Sequence, residues 1–340
     1  PLDKKFEERL AKYASKFWER RRRSGTTLYS AKIRMKERNY FGAMMVLEGD
    51  ADGMISGYSR AYPTVVKPIL EVIGRAANVK KVSTVNIMIT DRGPLFLADT
   101  SINIDPNAEE IAEIAQMTAN VASTFGFEPV MALLSYANFG SSSHPNAKKV
   151  REAVKILHEK NPNLVVDGEI QTDFALNREL LESKFPFSKL AGRKVNTLVF
   201  PNLESANITY KLLKELNKSD SIGPIMVGLR KSVHIMQLGA SVDEIVNMTA
   251  VAVIDAQERE KRKKKKLERP HSLYVYSDGA YEVKKEDGTM CTFGEMTDYL
   301  VKNNSNDDSE LKQIYEHIKK LNARDKLKDD FSMLKITFKE

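Results

Sequence analysis

The segment NFGSSSHPNAKKVREAVKIL places three consecutive serines, Ser141, Ser142 and Ser143, directly before an amphipathic stretch. A helix is expected to begin near Pro145, because proline is favoured in the first helical turn. The apolar residues behind it recur at helical spacing: Val150, Ala153, Val154 and Leu157. The free N–H groups of a helix N-terminus, together with serine hydroxyls, can bind a phosphate or a carboxylate. Plain N-capping by one serine explains the pattern equally well.

Other groups near this segment are of types that could do acid–base chemistry or bind a metal. His144 stands next to the serines, but no nucleophile is paired with it, so a structural role is favoured. The stretch VVDGEIQTDFAL offers Asp167, Glu169 and Asp173 after an apolar run, as expected of carboxylates at a strand end. Because no His or Cys stands beside them, we do not predict a metal site there.

Cys291 is the only cysteine of the chain. A single thiol excludes an intrachain disulfide and a zinc site built from thiolates, and it is typical of a cytoplasmic protein. A catalytic thiol is disfavoured, because Cys291 is followed by Thr-Phe-Gly and the chain has only five His that could serve as its base.

The composition is that of an ordinary globular protein, with 340 residues of which 42% are apolar and 29% charged. No apolar run approaches the roughly 18 residues that a membrane helix needs. The start, PLDKKFEERL, has neither a signal-peptide core nor an initiator Met, so we expect a trimmed chain. Motifs of the forms GxGxxG and GxxxxGKS/T do not occur in the sequence. Dinucleotide and P-loop nucleotide binding therefore lack their usual sequence support.

Most of the formal net charge of +7 lies in one basic run, EREKRKKKK. Between Glu258 and Arg269 there are eight Lys or Arg against three Glu. Such a run attracts phosphate and could tether nucleic acid. Its position, after a helical stretch and just before Pro270, favours instead the charged end of a helix followed by a linker. We therefore expect neither nucleic acid nor a membrane as a partner.

The elements that must position these groups follow three patterns. Residues 1–23 predict an amphipathic helix, the sequence SGTT ends it, and LYSAKIRMKERN predicts a second helix. From Phe41 to Gln257, apolar runs such as ADGMISG, STVNIMIT, LFLADTSINI and PVMALLSY alternate with amphipathic helices, which predicts an α/β fold with a layered, largely parallel sheet. Beyond Pro270, three strand-like stretches and two helical ones predict a small α+β piece.

Eight motifs carry a resemblance to a known family: RNYFGAMMV, DADGMISGYSRAYPTVVKP, GPLFLADTSINIDP, SYANFGSSSHP, DGEIQTDFAL, LVFPNLESANITYKLLKEL, SIGPIMVGL and LGASVDEIVNMTAVAVIDAQ. Over residues 1–260 the chain resembles the phosphate acetyl/butyryltransferase family, and most of all the phosphotransacetylase-like C-terminal domain of bacterial NADP-dependent malic enzymes. The resemblance implies a two-lobed isocitrate-dehydrogenase-like fold with one lobe incomplete. It also implies a homo-oligomer, usually a dimer, and an acetyl-CoA or CoA site in the cleft between the lobes.

The family's catalytic motif is degenerate in this chain. Active members carry Ser-Arg-Gly followed by an Asp six residues after the Arg, whereas Gln237, Leu238 and Glu244 occupy these three positions here. Arg holds phosphate through two charge-assisted hydrogen bonds, and Leu can make neither. Lys67 stands at a second position that is Arg in active members, so a point charge replaces a planar fork.

A binding domain without transferase turnover is therefore the first hypothesis. The resemblance assigns its ligand contacts to Arg60, Lys67, Asn138, Ser141, Ser142 and Ser143. It implies a regulatory role in which acetyl-CoA binding is linked to inhibition of a catalytic malic enzyme domain. That domain, with its NADP and divalent-metal sites, would lie upstream, so no NADP site is expected in this chain. The alternative is an active phosphate acetyltransferase in which Arg60, Arg230 or Lys231 holds the phosphate.

The C-terminal piece resembles the end of a metal-dependent PPM-type serine/threonine phosphatase, through LYVYSDGAYEV, a DGTM turn and KDDFSMLKITF. The resemblance makes Asp278 and Asp329 ligands of Mn²⁺ or Mg²⁺, with Asp330 the alternative to Asp329. The family's other metal ligands are missing, because no such motif precedes Ser272. Asp278 and Asp287 are equally explained as turn residues before glycine. Phosphatase activity is thus a further alternative.

Three segments are predicted for the whole chain. They are a phosphotransacetylase-like domain at 1–257, a basic linker at 258–271 and a phosphatase-like fragment at 272–340.

Overall fold

The computed structural model describes residues 4–217, 221–262, 272–276, 291–302, 310–321 and 333–337, together with Val283, Lys285 and Thr289. The chain divides into two compact units, Pro1–Arg262 and Lys263–Glu340.

The first unit contains ten helices and eight strands within its described residues. The helices are α1 Lys4–Arg21, α2 Leu28–Arg34, α3 Arg38–Glu48, α4 Tyr62–Val72, α5 Ala108–Thr124, α6 Pro145–Lys160, α7 Thr172–Leu176, α8 Arg178–Lys184, α9 Leu203–Asn217 and α10 Val242–Arg262. The strands are β1 Gly53–Ser56, β2 Ser83–Thr90, β3 Gly93–Ala98, β4 Val130–Leu134, β5 Val165–Ile170, β6 Thr197–Val199, β7 Ser221–Val227 and β8 Ser232–Ile235.

The predicted α/β fold is confirmed by a six-stranded sheet in the order β5-β4-β6-β3-β2-β7. Strands β5, β4, β6 and β3 pair in parallel, and β2 pairs antiparallel with both β3 and β7. Strand β7 therefore runs in the same direction as β3. A separate parallel pair, β1 with β8, lies outside this sheet.

Helices cover both faces of the sheet, which explains why strands such as β4 are buried along their whole length. One face packs against α5, α6 and α10 through residues such as Ile111, Val150 and Val251. The other face packs against α8 and α9 through Leu181 and Tyr210. A second lobe is formed by α1, α3, α4, β1 and β8 around their own apolar core.

Two predicted elements are shorter in the structure. The single helix predicted for LYSAKIRMKERN is wrong: α2 ends at Arg34, and Glu37 takes an extended conformation and caps a new helix, α3, by accepting the N–H of Asn39 at 3.4 Å. The strand predicted for LFLADTSINI ends at Ala98. It ends there because the Asp99 carboxylate accepts the backbone N–H groups of Ser101 and Asn103 and so turns the chain.

The second unit has a two-stranded antiparallel sheet and two helices among its described residues. They are β9 Ser272–Tyr276, α11 Phe293–Lys302, α12 Glu310–Leu321 and β10 Met333–Thr337. Its small core consists of Val283, Cys291, Met296, Leu300, Ile314 and Ile318. Cys291 is buried in this core, and burial raises the pKa of its thiol. Asp278, Asp287, Asp329 and Asp330 lie outside the described residues.

None of the helices seen in the described ranges is both long and apolar enough to cross a membrane.

Candidate functional site

The loops that follow β3, β4, β5 and β6 meet at one edge of the sheet, because parallel strands end on the same side. In sheets of this kind ligands bind outside the carboxyl ends of the strands. The loops hold one another in place. The Leu203 N–H donates to the Ile104 carbonyl at 3.0 Å, and the Ser135 N–H donates to the Ile170 carbonyl at 2.9 Å. This carboxyl edge is the frame of the candidate site.

Asp99 organises the loop that follows β3. Its carboxylate, only 4% exposed, accepts the Thr84 hydroxyl at 2.5 Å and the side-chain amide of Asn103 at 2.5 Å, as well as the two backbone N–H groups that turn the chain. Tyr62, at the start of α4, lies close to Asp99, and burial together with that carboxylate raises the pKa of the Tyr62 phenol. Helix α4 therefore begins against the carboxyl edge of the sheet.

The serine loop, residues 138–143, follows β4 and leads into α6. Helix α6 begins at Pro145 as predicted, but its cap is His144, whose Nδ1 accepts the Asn146 N–H at 3.3 Å. The structural role favoured for His144 is thus the one observed. The Ser141 hydroxyl accepts the Asn138 N–H at 3.0 Å, and the Ser142 hydroxyl lies 3.0 Å from the Tyr136 hydroxyl. Ser143 is exposed in front of the helix.

An ion pair between a partly exposed arginine and a buried glutamate holds the serine loop in place. Arg151 in α6 donates to Glu169 through Nε at 3.0 Å and Nη2 at 2.6 Å, and it also donates to the Ser142 carbonyl. The Gly140 N–H donates to the same carboxylate at 2.8 Å. Burial alone would raise the pKa of Glu169, but the hydrogen bonds from Arg151 and Gly140 bring this pKa below its ordinary value. Glu169 is therefore ionised and bound in place at neutral pH.

Asn138 is held by a reciprocal amide pair. It donates through Nδ2 to Gln171 Oε1 at 2.7 Å, and its Oδ1 accepts the Gln171 N–H at 2.8 Å. Both polar atoms of this predicted ligand contact are thus used inside the protein.

The carboxylates Asp167, Glu169 and Asp173 do not form one cluster. Asp167 accepts the Ser188 hydroxyl at 2.8 Å and the Lys189 N–H at 2.9 Å, whereas Asp173 lies in the first turn of α7. Among the residues that the structure describes, no group of three or more metal-ligating side chains is assembled.

A cavity of about 630 Å³ lies between α4 and the loop that follows β3. Leu70 of α4 and Gly74, two residues past the end of that helix, line one side, and residues 102–106 line the other. Lys149 of α6 donates to Asp105 at 2.5 Å, which joins the helix behind the serine loop to the cavity wall. Lys67 is exposed one turn before Leu70 on the same face of α4, but it is not one of the residues that line the cavity.

The degenerate motif lies at the other end of α4. The Met236 N–H donates to the Ser56 carbonyl at 2.6 Å, so the segments after β1 and β8 run side by side. Gly57 has φ +114°, and a Cβ there would approach the Met236 carbonyl oxygen to 2.4 Å, which only glycine avoids. This close approach places the segment of Arg60 next to that of Gln237 and Leu238. The Leu238 side chain is 62% exposed.

Glu244 is already bound by its neighbours. It accepts the Ser241 N–H at 2.8 Å while its own N–H donates to the Ser241 hydroxyl at 3.2 Å, which forms a capping box at the start of α10. Lys214 of α9 donates to it at 2.8 Å. Burial would raise the pKa of Glu244, but Lys214 and the Ser241 N–H lower this pKa overall. A carboxylate in this state is a weak proton acceptor.

The alternative phosphate ligands are placed as follows. An Arg60 guanidinium nitrogen lies 4.0 Å from Glu37. The Arg230 backbone N–H donates to the carbonyl of Gly74, which follows the end of α4, and the Arg230 side chain is exposed. Lys231 is half-buried. Of these three, the Arg60 segment is the one that runs beside Gln237.

Three residues that the sequence analysis did not single out hold the site together: Arg151, Gln171 and Lys214. Each contacts a residue that was singled out, namely Glu169, Asn138 and Glu244. No sequence signal identifies such partners, because they lie 18, 33 and 30 positions apart in the chain.

Comparison with known proteins identifies relatives for both parts of the chain. Residues 2–253 match the phosphate acetyl/butaryl transferase family, and residues 239–339 match the stage II sporulation protein E family. A phosphate acetyltransferase of Thermoanaerobacterium thermosaccharolyticum is 41% identical over 257 residues, which cover 74% of this chain and 78% of that protein. The crystal structure of a phosphotransacetylase from Streptococcus pyogenes superimposes with a TM-score of 0.70 at 39% identity, covering 73% of this chain and 76% of that one.

A second group of relatives consists of larger proteins. An NADP-dependent malic enzyme of Haemophilus influenzae is 39% identical over 243 residues, which cover 71% of this chain but 32% of that protein. The chain thus spans about a third of the length of the malic enzymes that it matches. The match over residues 2–253, the similarity to phosphotransacetylases and the shared fold lead to one conclusion: the chain belongs to the phosphate acetyl/butaryl transferase family.

Proposed function

We propose that this chain is an acetyl-CoA-binding regulatory domain of the phosphotransacetylase type that does not turn its ligand over. The observation that carries the proposal is Leu238, which occupies the position of the phosphate-binding Arg in active family members and is 62% exposed beside the segment of Gly57. A leucine side chain has no hydrogen-bond donor, and each charge-assisted bond to phosphate contributes about 1.5–3 kcal/mol.

The two other degenerate positions support the same conclusion. Glu244 is held by Lys214 and Ser241, and its lowered pKa makes it a poor base for the thiol of CoA. Gln237 replaces a serine hydroxyl with a longer amide. Chemistry that needs an anion clamp, a base and a hydroxyl therefore lacks the clamp and the hydroxyl at the matching places and has only a weak base there.

Features suited to ligand binding are present at the carboxyl edge of the sheet. The cavity beside α4 offers space, and the exposed amine of Lys67 offers positive charge. Ser143 adds a hydroxyl in front of the N-terminus of α6. In this proposal, acetyl-CoA lies along α4, with its phosphates near Lys67 and the serine loop. Asn138 acts as a loop support, because Gln171 binds both of its polar atoms.

A paired assay tests this proposal. The full chain is incubated with acetyl-CoA and inorganic phosphate, and acetyl phosphate is measured; the melting temperature is recorded with and without acetyl-CoA in parallel. We expect a rise in melting temperature that grows with acetyl-CoA concentration and no acetyl phosphate above the rate without protein. Turnover by the unmodified chain would contradict the proposal.

An active phosphate acetyltransferase is the first alternative. Its phosphate ligand would be Arg60, whose position favours it over Arg230 and Lys231. Its segment runs beside that of Gln237 because of the close contact between Gly57 and Met236. Under this alternative, Arg60→Leu abolishes a measurable transferase rate, while Arg92→Leu, a change at an exposed arginine on the turn between β2 and β3, leaves that rate unchanged.

The regulatory setting, the location in the cytoplasm and the oligomeric state are part of the proposal. The malic enzyme relatives support an upstream catalytic domain that acetyl-CoA binding would inhibit. A homo-oligomer is supported by α9, whose outer face carries Ile208, Leu212 and Leu216 with 65%, 55% and 72% of their surface exposed. A helix that is apolar on its outer face as well as its inner face is expected to be covered by another surface.

A phosphatase activity of the second unit is the second alternative, favoured by the match of residues 239–339 to the stage II sporulation protein E family. Its proposed metal ligands, Asp278 and Asp329, lie outside the described residues. Two carboxylates do not suffice for a two-metal centre, so we assign no reaction step to Mn²⁺ or Mg²⁺ here. Mn²⁺-dependent hydrolysis of an aryl phosphate that is lost in Asp278→Asn would establish this activity, and no hydrolysis would exclude it.

A further inference from the structure

The cavity of about 630 Å³ beside α4 is lined by apolar side chains that are partly exposed. Leu70 lies on one side with 38% of its surface exposed, and Ile104 lies on the other side with 74% exposed. Ile102, Val82 and Pro106 add to the apolar lining. Ligand pockets usually have volumes of about 300–1,000 Å³ and a mostly apolar lining, so this cavity has room for a flat ring system.

Arg75 is the one cation of the lining that forms no ion pair within the described part of the chain. Lys80 pairs with Glu109 at 2.5 Å. The Lys81 amine lies 3.3 Å from Glu110. The exposed Arg75 donates through Nη1 to the Lys80 carbonyl. A guanidinium has five N–H groups in a planar fork, so the Nε and Nη2 groups of Arg75 are left for a ligand.

An unpaired guanidinium beside an apolar cavity fits a ligand that carries both a phosphate and a flat ring. Guanidinium binds phosphate through two parallel hydrogen bonds. Acetyl-CoA, the ligand proposed above, has such an end, because its ribose carries an adenine ring and a 3′-phosphate in addition to the diphosphate at the 5′ carbon. Inorganic phosphate alone would leave the apolar walls of the cavity in contact with water.

The direction of the ligand follows from the two ends of α4. The degenerate motif lies near the start of this helix, so the acyl group is expected there. Gly74, next to Arg75, comes seven residues after Lys67, which corresponds to about 10 Å at 1.5 Å per residue. The diphosphate can therefore lie near Lys67 while the ribose that carries it brings its 3′-phosphate to Arg75.

We propose that the cavity beside α4 holds the adenosine end of acetyl-CoA, with the adenine ring between Leu70 and Ile104 and the 3′-phosphate bound by Arg75. This inference rests on the proposed binding of acetyl-CoA, and it names the part of the ligand that the cavity recognises. Arg75 is thus a specificity-determining residue that distinguishes CoA esters from esters without the 3′-phosphate.

Isothermal titration calorimetry of the full chain with two thioesters tests the inference. Acetyl-CoA is compared with acetyl-dephospho-CoA, which lacks only the 3′-phosphate. We expect the dephospho ester to bind about 10- to 100-fold more weakly, because the charge-assisted hydrogen bonds to Arg75 are lost. Equal affinities for the two esters would overturn the inference and leave the proposed function standing. Binding of neither ester would contradict the proposed function and the inference with it.

Two variants assign the discrimination to the cavity. Arg75→Leu should lower the affinity for acetyl-CoA to that for the dephospho ester and leave the latter affinity unchanged, which also shows that the variant is folded. Arg92→Leu, at an exposed arginine on the turn between β2 and β3, is the matched control and should change neither affinity. Ile104→Ser should weaken both esters alike, by about 5- to 10-fold, since both carry the adenine ring. Equal losses for the two esters in Arg75→Leu, or unchanged binding of both in Ile104→Ser, would overturn the inference.

Discussion

At the positions that we propose to match the family's catalytic motif, Glu244 has structural partners and Leu238 offers no polar group. Glu244, at the proposed position of the catalytic carboxylate, forms a capping box with Ser241 at the start of α10 and pairs with Lys214. Leu238 exposes an apolar surface where a guanidinium is expected. We therefore expect the two positions to affect different properties: Glu244 contributes to stability, and Leu238 is proposed to prevent the binding of phosphate.

Glu244→Ala removes the capping box and the ion pair with Lys214 together. We expect the free energy of unfolding to fall by about 1–2 kcal/mol, the usual cost of losing a cap. Glu244→Gln keeps a capping side chain and should cost less. Thermal unfolding measures both, with Asp243→Ala, an exposed change in the same first turn, as the control.

The pH dependence of this contribution has a definite sign. The pKa of Glu244 is lower in the folded state than the ordinary value near 4.5, so its stabilisation is complete above that value and is lost as the pH falls through the lower, folded pKa. The difference between the unmodified chain and Glu244→Ala should therefore be constant from pH 6 to 8 and shrink in acid. A difference that grows below about pH 4 would contradict this assignment.

Arg151→Leu leaves the carboxylate of Glu169 buried without its cation. Glu169 is fully buried, so we expect a loss of about 3 kcal/mol in the free energy of unfolding, at the low end for a broken buried pair because Arg151 is partly exposed. Arg178→Leu, at an exposed arginine in α8, is the matched control and should stay within about 0.5 kcal/mol. Equal melting temperatures of the two variants would show that the pair does not hold the serine loop.

The residue types of the site could be found from the sequence, but their partners could not. The three serines, Lys67 and Leu238 are visible through motif and resemblance. The locking of Asn138 by Gln171 depends on a contact between the loops after β4 and β5 that no spacing predicts. For the same reason, the sequence did not show that the neighbouring carboxylates Asp167 and Glu169 have different partners. Asp167 accepts a hydrogen bond from Ser188, and Glu169 accepts one from Arg151.

Helices and strands of the first unit were predictable wherever their apolar periodicity is strong. Helix α6 begins at the predicted Pro145, and β2 and β4 coincide with apolar runs. Two short elements were missed: β8 has four residues, and α7 has five. Strand β8 matters for the site, since its pairing with β1 brings Gln237 and Leu238 beside the segment of Arg60.

The exposed apolar face of α9 gives a prediction about the oligomeric state. Replacing Leu212 with glutamate places a charge in the middle of the exposed row formed by Ile208, Leu212 and Leu216. If this row is the interface of a homo-oligomer, Leu212→Glu should shift the chain to the monomeric mass in light scattering, because an unpaired charge in an apolar interface is strongly unfavourable. Lys211→Glu, at the neighbouring exposed position, should keep the original mass. A monomeric mass for the unmodified chain would contradict the homo-oligomer itself.

The whole molecule combines a phosphotransacetylase-type unit with a second, smaller unit of a different family match. The alternation of strands and helices predicted the α/β class of the first unit, because burial on both faces leaves a recognisable pattern in each strand. The antiparallel direction of β2 and the separate β1–β8 pair were not predictable, since both depend on contacts far apart in the chain. The basic run at Glu258–Arg269 remains interpreted as the end of a helix and a linker, and α10 indeed extends to Arg262.

The absence of transferase turnover is the central claim, and restoring the missing groups tests it most directly. The full chain and the triple variant Gln237→Ser, Leu238→Arg, Glu244→Asp are assayed side by side for acetyl phosphate formation, with acetyl-CoA binding followed by the melting temperature. We predict that both proteins bind acetyl-CoA, that the unmodified chain forms no acetyl phosphate, and that the triple variant forms it at a measurable rate. Acetyl phosphate formation by the unmodified chain, lost on Arg60→Leu, would contradict the account.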